Sequence, residues 1–330
     1  MKKVFVFAAI AALVVSTITS CQWLNGGNNN NNNNENDEPV ILEEPAKAAN
    51  AIKIELTDVT PVDPGTEPGT GEQPAAQPYK EFEATEGGTF LINEVVKDDD
   101  GNEKEIYHSG PYTVVNKADG GIIYDCEGFG EVELVPRTSA ARRYDIIFRP
   151  RNKAPVSASG TEVPTPPANT NNNSMTNIAR TWTIDKTIIS VSGGSASAGL
   201  GVAHPFTGLK VSEIVNYLNE NGININKDLS GYNVTTVDFS KSNSIIFNFS
   251  GADPYVGTFT ITSDNKITYD FSATSGDIPV INGSAIGTAD FKKLDKPTDP
   301  AKCELTLTST LDNNGTKYSA KVILNMTEKK

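Results

Sequence analysis

Apolar and polar side chains alternate along most of the second half of the chain. The apolar members of these short runs are Val237, Phe239, Ile245, Phe247, Phe249, Phe259, Ile261, Ile267, Tyr269 and Phe271, followed by alternate residues of Cys303–Leu311 and Tyr318–Met326. The positions between them carry mainly threonine, serine, lysine and asparagine, which is the pattern of strands with one face in a core and one in water. Asp264-Asn265-Lys266 and Asp312-Asn313-Asn314-Gly315 are turn formers and predict hairpins. The pattern therefore predicts an antiparallel sheet that reaches the C-terminus.

Residues Val211–Gly222 have helical spacing instead. Ile214, Val215 and Leu218 recur at intervals of three and four residues, and Asn221-Gly222 is typical of a helix end. This segment predicts one short helix before the sheet.

Period-two alternation also runs through Tyr79–Arg151. Its turn formers are Gly87-Gly88, Asp98–Asn102, Gly110-Pro111, Asp119-Gly120-Gly121 and Gly128-Phe129-Gly130. Ile52, Ile54 and Leu56 alternate further upstream and predict an opening strand. Short strands at regular spacing favour an antiparallel sandwich or barrel.

The predicted fold class is all-β with one short helix, arranged as two β-sandwich or barrel domains. A Pro- and Asn-rich stretch, Ala154–Ser174, has the composition of a linker. We therefore place a linker at residues 153–175, an N-terminal β domain at 49–152 and a C-terminal domain at 176–330.

Residues 1–20 have the three parts of an export signal: Lys2 and Lys3, the apolar run Val4–Val15, and Ile18-Thr19-Ser20 before Cys21. The apolar run is shorter than the roughly 20 residues that cross a bilayer. The residues before the cysteine resemble the bacterial lipobox. This resemblance implies that Cys21 is lipidated and begins the mature chain, anchored through acyl chains at about 0.8 kcal/mol per buried methylene. An ordinary secretory signal with a chance cysteine is the alternative.

Residues 21–48 are predicted to be a disordered spacer, because the run Asn28–Asn34 and the acidic Glu35, Asp37 and Glu38 have almost nothing to bury. This layout resembles surface lipoproteins of the Bacteroidales. The resemblance implies an outer membrane lipoprotein that is exposed on the cell surface.

Charge and composition narrow the function classes. The 41 acidic and 28 basic residues give a net charge of −13, which disfavours nucleic acid and anionic lipid as partners. His108 and His204 are the two histidines, too few for clustered-histidine metal or triad chemistry, and both are predicted to be surface or turn residues. No phosphate loop or dinucleotide fingerprint is present, so we expect neither a cofactor nor a metal. Asp98–Glu103 offers oxygen ligands but lacks EF-hand spacing and is interpreted as a hairpin turn.

Cys126 and Cys303 lie far apart in the sequence. We expect two separately buried thiols, with a disulfide between the two halves as the alternative.

The C-terminal domain opens with Arg180-Thr181-Trp182-Thr183-Ile184, followed by the short helix and the hairpins. This order resembles a lipocalin-like barrel over about residues 176–330, with arginine where the lipocalin signature has glycine. The resemblance implies that a cation caps the barrel base, either Lys317 or Lys321, and it supplies no catalytic residues. Lipobox, spacer, β-rich first part and tryptophan-initiated second part together are similar to lipoproteins of the Bacteroidales.

The leading hypothesis is a non-catalytic, surface-exposed binding lipoprotein whose C-terminal barrel holds a small hydrophobic molecule or a glycan. Candidate wall residues are Trp182, Tyr217, Phe247, Phe249, Phe259 and Tyr269; the alternative is that they fill a closed core. Two other hypotheses stay open. One is a structural or adhesion subunit of an outer-membrane protein complex, and the other is a glycan-active hydrolase whose two carboxylates meet only in space.

Five of the six arginines lie within fifteen residues: Arg137, Arg142, Arg143, Arg149 and Arg151. A guanidinium suits carboxylates, sulfates and phosphates, so this segment predicts an anion-binding surface. The alternative is that these side chains pair with the protein's own acidic residues.

Overall fold

Eight antiparallel strands wrap the N-terminal half of the chain into a closed barrel in this computed structural model. The strands are β1 (Ile52–Pro61), β2 (Tyr79–Ala84), β3 (Thr89–Lys97), β4 (Glu103–Asn116), β5 (Ile122–Cys126), β6 (Gly130–Pro136), β7 (Arg143–Pro150) and β8 (Val156–Glu162). Each strand pairs with the next, and β8 pairs with β1 to close the barrel. The predicted opening strand is confirmed as β1.

The structure describes residues 40–61, 79–165, 174–193, 203–223, 229, 231–261, 266–271, 284–292, 296, 299–313 and 316–330. Cys21 and Asn28–Asn34 lie outside the described residues, as do parts of both predicted C-terminal hairpin turns.

Large aromatic rings fill the N-terminal barrel. Alternate strand residues point inward, so Phe82, Phe90, Tyr112, Tyr124 and Phe148 are buried in one cluster. The ring centroids of Phe82 and Tyr124 lie 5.2 Å apart, and those of Tyr112 and Tyr124 lie 5.4 Å apart, both edge to face. This geometry is favourable for aromatic pairs.

The acidic turn between β3 and β4 is closed by its own side chain. Asp98 Oδ1 accepts hydrogen bonds from the N–H groups of Asp100 and Asn102 at 3.0 and 2.8 Å. Gly101 has a φ of +81°, a conformation that strains residues with a side chain. The oxygens of Asp98 therefore hold a hairpin turn.

The predicted turn at Gly110-Pro111 is wrong, because β4 runs through both residues without interruption. Pro111 lies opposite Thr89 in the neighbouring strand. A Cβ at position 110 would lie 3.2 Å from both the Glu127 carbonyl oxygen and the Phe90 ring. Close packing therefore explains this glycine.

Strand β8 lies within the interval predicted to be a linker. Its segment Val156–Gly160 is small and polar and offers little apolar signal. A Cβ at Gly160 would lie 2.3 Å from Ile54 and 2.7 Å from Ile146. Side chains of the neighbouring strands thus fill the space beside β8.

A second antiparallel barrel forms the C-terminal half, and the predicted fold of two β domains is confirmed. Its strands are β9 (Thr181–Ser192), β10 (His204–Thr207), β11 (Leu209–Lys210), β12 (Asn233–Phe239), β13 (Ser244–Phe249), β14 (Tyr255–Ile261), β15 (Lys266–Asp270), β16 (Ser284–Lys292), β17 (Lys302–Asn313) and β18 (Thr316–Glu328). Strands β9 and β12–β18 close the barrel, because β9 pairs with β18 on one side and β12 on the other. The predicted β14–β15 and β17–β18 hairpin pairs are confirmed.

Two short helices accompany the second barrel: α1 (Ser174–Ile178) and α2 (Val211–Glu220). The predicted helix is α2, which follows β11 directly, and its stripe Val211, Ile214, Val215 and Leu218 is buried in the barrel core. Strands β9 and β12 pair directly over only two residues each. Beyond that point β10 pairs with β9, and β11 pairs with β12.

Residues 40–50, which we call the N-terminal strap, contact both barrels. Leu42 is buried in the core of the C-terminal barrel, and its N–H donates to Asn177 Oδ1 at 2.9 Å. Lys47 Nζ donates to the Tyr112 carbonyl of the N-terminal barrel at 2.6 Å. Part of the segment predicted to be spacer is therefore integrated into the fold.

The barrels meet through the outer faces of β3 and β4 on one side and β13 and β14 on the other. Leu91 and Tyr107 of the first barrel pack against Ile246 and Val256 of the second. This apolar contact forms the centre of the inter-barrel interface.

A buried polar group flanks that contact. The carboxylate of Asp238 accepts hydrogen bonds from Thr89 Oγ1 at 2.7 Å, from Asn248 Nδ2 at 2.7 Å and from the Thr181 hydroxyl. Because Thr89 belongs to the first barrel and Asp238 to the second, the carboxylate links the two.

Candidate ligand-binding site

Most of the predicted wall residues lie in the packed core of the C-terminal barrel. Trp182, Phe247, Phe259 and Tyr269 are fully buried there, and Phe249 is half-buried against the same cluster. These rings also contact other core rings; the ring centroids of Tyr269 and Phe271 lie 5.3 Å apart. Among the described residues, these side chains form part of the barrel filling.

The barrel base is capped by Arg180. Its guanidinium lies 5.9 Å from the Trp182 ring and pairs with Glu328 at 2.8 Å. The expectation that Lys317 or Lys321 supplies this cation is wrong, since both are exposed on β18. The capping residue is the arginine that stands in place of the lipocalin glycine.

The outer surface of the same barrel carries an open pocket of about 390 Å³. Its lining comes from β14, β15 and β16: Thr258, Phe259, Thr260, Thr268, Tyr269, Asp270 and Ile286. We call this the outer pocket. Two of its residues, Phe259 and Tyr269, are among the predicted wall residues, and the other five alternate with the core positions and face outward.

Strand pairing sets the chemistry of the outer pocket. Thr260 lies opposite Thr268, and their hydroxyls are hydrogen bonded at 2.6 Å. Thr268 in turn lies opposite Ile286, a large apolar side chain that is 64% exposed. The pocket thus combines hydroxyls, the Asp270 carboxyl group and one apolar side chain. The hydroxyls can donate and accept hydrogen bonds, and Ile286 offers an apolar contact beside them.

Tyr217, on α2, is half-buried against the same core cluster and belongs to an aromatic group with His204 and Phe206. Its ring stacks on His204 at 4.2 Å and meets Phe206 edge to face at 5.7 Å. His204 is exposed, in agreement with its predicted surface position. All six predicted wall residues thus lie in or against one packed core cluster, and two of them, Phe259 and Tyr269, also line the outer pocket.

Part of the arginine segment pairs with the protein's own carboxylates. Arg137 pairs with Asp145, and Arg149 Nη2 lies 2.6 Å from Glu133 Oε2. Arg142, Arg143 and Arg151 are exposed. An anion-binding role for these residues stays a prediction.

His108 is the residue that sequence reasoning missed. It lies within β4 and its Nε2 is 2.8 Å from Glu94 Oε2. The available signal was its phase, because His108 alternates in step with Ile106, Tyr112 and Val114. The incorrect prediction of a turn at Gly110-Pro111 interrupted this alternation, so His108 was not assigned to a strand.

Cys126 and Cys303 are free and buried, which confirms the expectation of separate thiols. Burial raises the pKa of both Cys126 and Cys303 far above the ordinary thiol value. Such thiols are poor nucleophiles.

Within the described ranges, no group of three or more His, Cys, Asp or Glu side chains is placed to hold a metal. Over the same ranges, no helix has the length and apolar character needed to cross a bilayer.

No protein-family model matches this chain, and no curated protein sequence matches it. A single-substitution variant of transferrin binding protein B from Haemophilus parasuis Hp5 is similar over 72% of this chain and 43% of that chain, with 11% identity and a TM-score of 0.24. A double variant of that protein covers 74% and 52%, with 12% identity and a TM-score of 0.23. Intact Ap-TbpB, with N and C lobes, covers 72% and 44%, with 12% identity and a TM-score of 0.21. The chain thus spans about half the length of these solved proteins or less.

Proposed function

We propose that this protein is a non-catalytic binding protein, anchored on the cell surface through a lipid on Cys21, and that the outer pocket of its C-terminal barrel recognises a glycan. The observation that carries the proposal is an exposed Ile286 set among threonine hydroxyls and the Asp270 carboxyl group in an open pocket of about 390 Å³. Ligand sites in proteins commonly occupy about 300–1,000 Å³.

The composition of the pocket favours a glycan over a small hydrophobic molecule. Sugar hydroxyls both donate and accept hydrogen bonds, as threonine hydroxyls do. The apolar C–H face of a sugar ring matches an isolated apolar side chain such as Ile286. A hydrophobic ligand inside the barrel would compete with the buried rings of Trp182 and Phe247.

The N-terminal strap supports the proposed tether. It contacts both barrels, and Leu42 fixes it to the C-terminal core. A tether on Cys21 would therefore be connected to both barrels through this strap.

The test uses the mature, lipidated protein in detergent on a glycan array, followed by titration of the glycan that binds most strongly. We expect Ile286→Ala to weaken that binding by about tenfold, because the apolar contact is lost while the fold is kept. Val115→Ala is the matched control, since Val115 is similarly exposed, at 60%, on the other barrel.

Equal affinity of the Ile286→Ala and wild-type proteins, or the absence of glycan binding by the wild type, would refute the proposed site. The anchor is tested separately by palmitate labelling of cells that express the wild type or Cys21→Ser. Equal labelling of the two proteins would refute lipidation at Cys21.

A further inference from the structure

A charged cluster lies inside one end of the N-terminal barrel, away from the outer pocket. Glu94 is buried on β3, and its two carboxylate oxygens accept hydrogen bonds from different partners. His108 Nε2 of β4 lies 2.8 Å from Oε2, and Lys153 Nζ lies 2.7 Å from Oε1. Lys153 comes from the connection between β7 and β8, so three parts of the barrel meet at one carboxylate.

Glu94 is ionised in this setting. Burial opposes its charge, but the hydrogen bonds from His108 and Lys153 outweigh burial and hold the pKa of Glu94 below its usual value. An ionised carboxylate can only accept hydrogen bonds, so His108 Nε2 carries the proton in this contact.

A tyrosine hydroxyl without a partner lies beside the cluster. Tyr79 is only 2% exposed, and its hydroxyl has no hydrogen-bond partner among the described residues. Tyr79 lies directly opposite Glu94 in the strand register, and its ring stacks on Phe148 at 4.5 Å. Burial and the nearby charge of Glu94 both raise the pKa of Tyr79. A buried hydroxyl without a hydrogen bond is unfavourable, so a partner at this position would stabilise the protein.

An aromatic side chain forms the remaining side of the cluster. Phe129 lies 6.0 Å from Tyr79 and 5.5 Å from His108, measured between ring centroids. An apolar ring therefore lies next to the polar groups of the cluster.

The charges and hydrogen-bonding groups limit the class of ligand. The charges of Glu94 and Lys153 offset each other. The positive charge of Lys153 disfavours a metal cation, and the negative charge of Glu94 disfavours a phosphate or a carboxylate. The groups that can take a further partner include donors, on Lys153 and Tyr79, and an acceptor, the ionised Glu94 carboxylate. A neutral molecule rich in hydroxyl groups satisfies both kinds.

We propose that this end of the N-terminal barrel is a second binding site, which takes a neutral sugar unit through Tyr79, Glu94, His108 and Lys153, with Phe129 against the apolar face of the ring. Lys153 controls access, because its side chain is 40% exposed while that of Glu94 is 1% exposed. A sugar that reaches the buried Tyr79 hydroxyl would displace Lys153. This site does not depend on the outer pocket, and either can fail without the other.

The test exploits the presence of only two histidines in the chain. Mature protein with ¹⁵N-labelled histidine is titrated in detergent with D-glucose, D-galactose, D-mannose and N-acetyl-D-glucosamine in turn, and the ring signals of His108 and His204 are followed by NMR. We expect one of these sugars to shift the His108 signal in a saturable way while the His204 signal stays unchanged.

Two substitutions separate binding from a structural role. Tyr79→Phe removes only the unpaired hydroxyl, so we expect affinity to fall by about tenfold, a change that corresponds to one lost hydrogen bond, with no decrease in Tm. Lys153→Gln should also weaken binding. The matched controls are Tyr144→Phe, whose hydroxyl has a partner in Glu162, and Lys80→Gln, which removes an exposed ion pair with Glu105.

Three results would overturn this second site: no saturable shift of His108 with any of the four sugars, a shift that Tyr79→Phe and Lys153→Gln leave unchanged, or a shift produced equally by sulfate or zinc. The glycan-array result for Ile286→Ala plays no part in this outcome, so the two proposals are judged separately.

Discussion

Arg180 shows how one residue connects segments that are distant in the sequence. Its Nη1 pairs with Glu328 at 2.8 Å, its Nε donates to the Asn177 carbonyl at 2.8 Å, and its Nη2 donates to the Glu43 carbonyl at 3.0 Å. The guanidinium also covers Trp182 at the barrel base. A buried charge is tolerated when its donors are satisfied, and here the last strand, α1 and the N-terminal strap all supply acceptors.

We expect Arg180→Met to destabilise the protein by about 3 kcal/mol, because it removes the ion-pair partner of Glu328 and the hydrogen bonds to three backbone carbonyls, those of Glu43, Thr176 and Asn177. Methionine keeps the aliphatic part of the side chain, so loss of packing contributes little. Urea unfolding of the variant measures the effect. Arg143→Met is the control, since Arg143 is exposed, and a similar loss in both variants would contradict the capping role.

At the scale of strands, alternation predicts the barrels well where apolar residues carry the signal. It predicts β12–β15 and the inward position of Phe259 and Tyr269. It fails for β8, whose space is filled by Ile54 and Ile146 of the neighbouring strands. The sequence pattern of one strand does not show which side chains of neighbouring strands will pack against it.

The same limit applies to the candidate sites. Thr258, Thr260, Asp270 and Ile286 occupy positions that alternation assigns to the solvent face, where a pocket leaves no sequence signature. The cluster around Glu94 takes its residues from separate strands and from the connection between β7 and β8. They become neighbours only through the pairing of strands in the folded protein. Sequence therefore predicted the elements but not the pairing between them that builds each site.

The N-terminal strap has one fully buried side chain, that of Leu42. Leu42 is 4% exposed within the core of the C-terminal barrel, whereas the adjacent Ile41 is 70% exposed. The strap has no strand pairing of its own, so burial of Leu42 and the hydrogen bond to Asn177 hold its first part in place.

We expect Leu42→Ala to lower the free energy of unfolding by about 2–4 kcal/mol, from lost burial and the cavity that remains. Ile41→Ala should change it by less than about 0.5 kcal/mol, since exposed side chains away from special features contribute little. Both are measured by urea unfolding. If the two variants lost the same stability, the strap would not be anchored as the structure indicates.

At the scale of the whole molecule, two buried carboxyl groups lie where the barrels meet. Burial raises the pKa of Asp238 to about 6, against the lowering effect of hydrogen bonds from Thr181 and Thr89. Burial also raises the pKa of Glu86 to about 7, although its carboxylate accepts a hydrogen bond from the Lys241 N–H at 3.2 Å. The contact between the barrels therefore favours the protonated form of both groups.

These two groups make stability depend on pH in a definite direction. A carboxyl group with a raised pKa in the folded state holds its proton more tightly there than in the unfolded chain, so the free energy of unfolding falls as pH rises from about 4 to about 7, by on the order of 3 kcal/mol for each group. Below about pH 4 the sign reverses, because the pKa of Glu94 is lowered in the folded state and its protonation destabilises the fold.

Urea unfolding between pH 3 and 8 should thus show maximal stability near pH 4–5. Asp238→Asn should flatten the decline between pH 4 and 6, whereas Asp125→Asn, at an exposed position, should preserve it. A wild-type protein that is most stable at pH 7 or above would show that the carboxyl groups between the barrels are not buried in the way described.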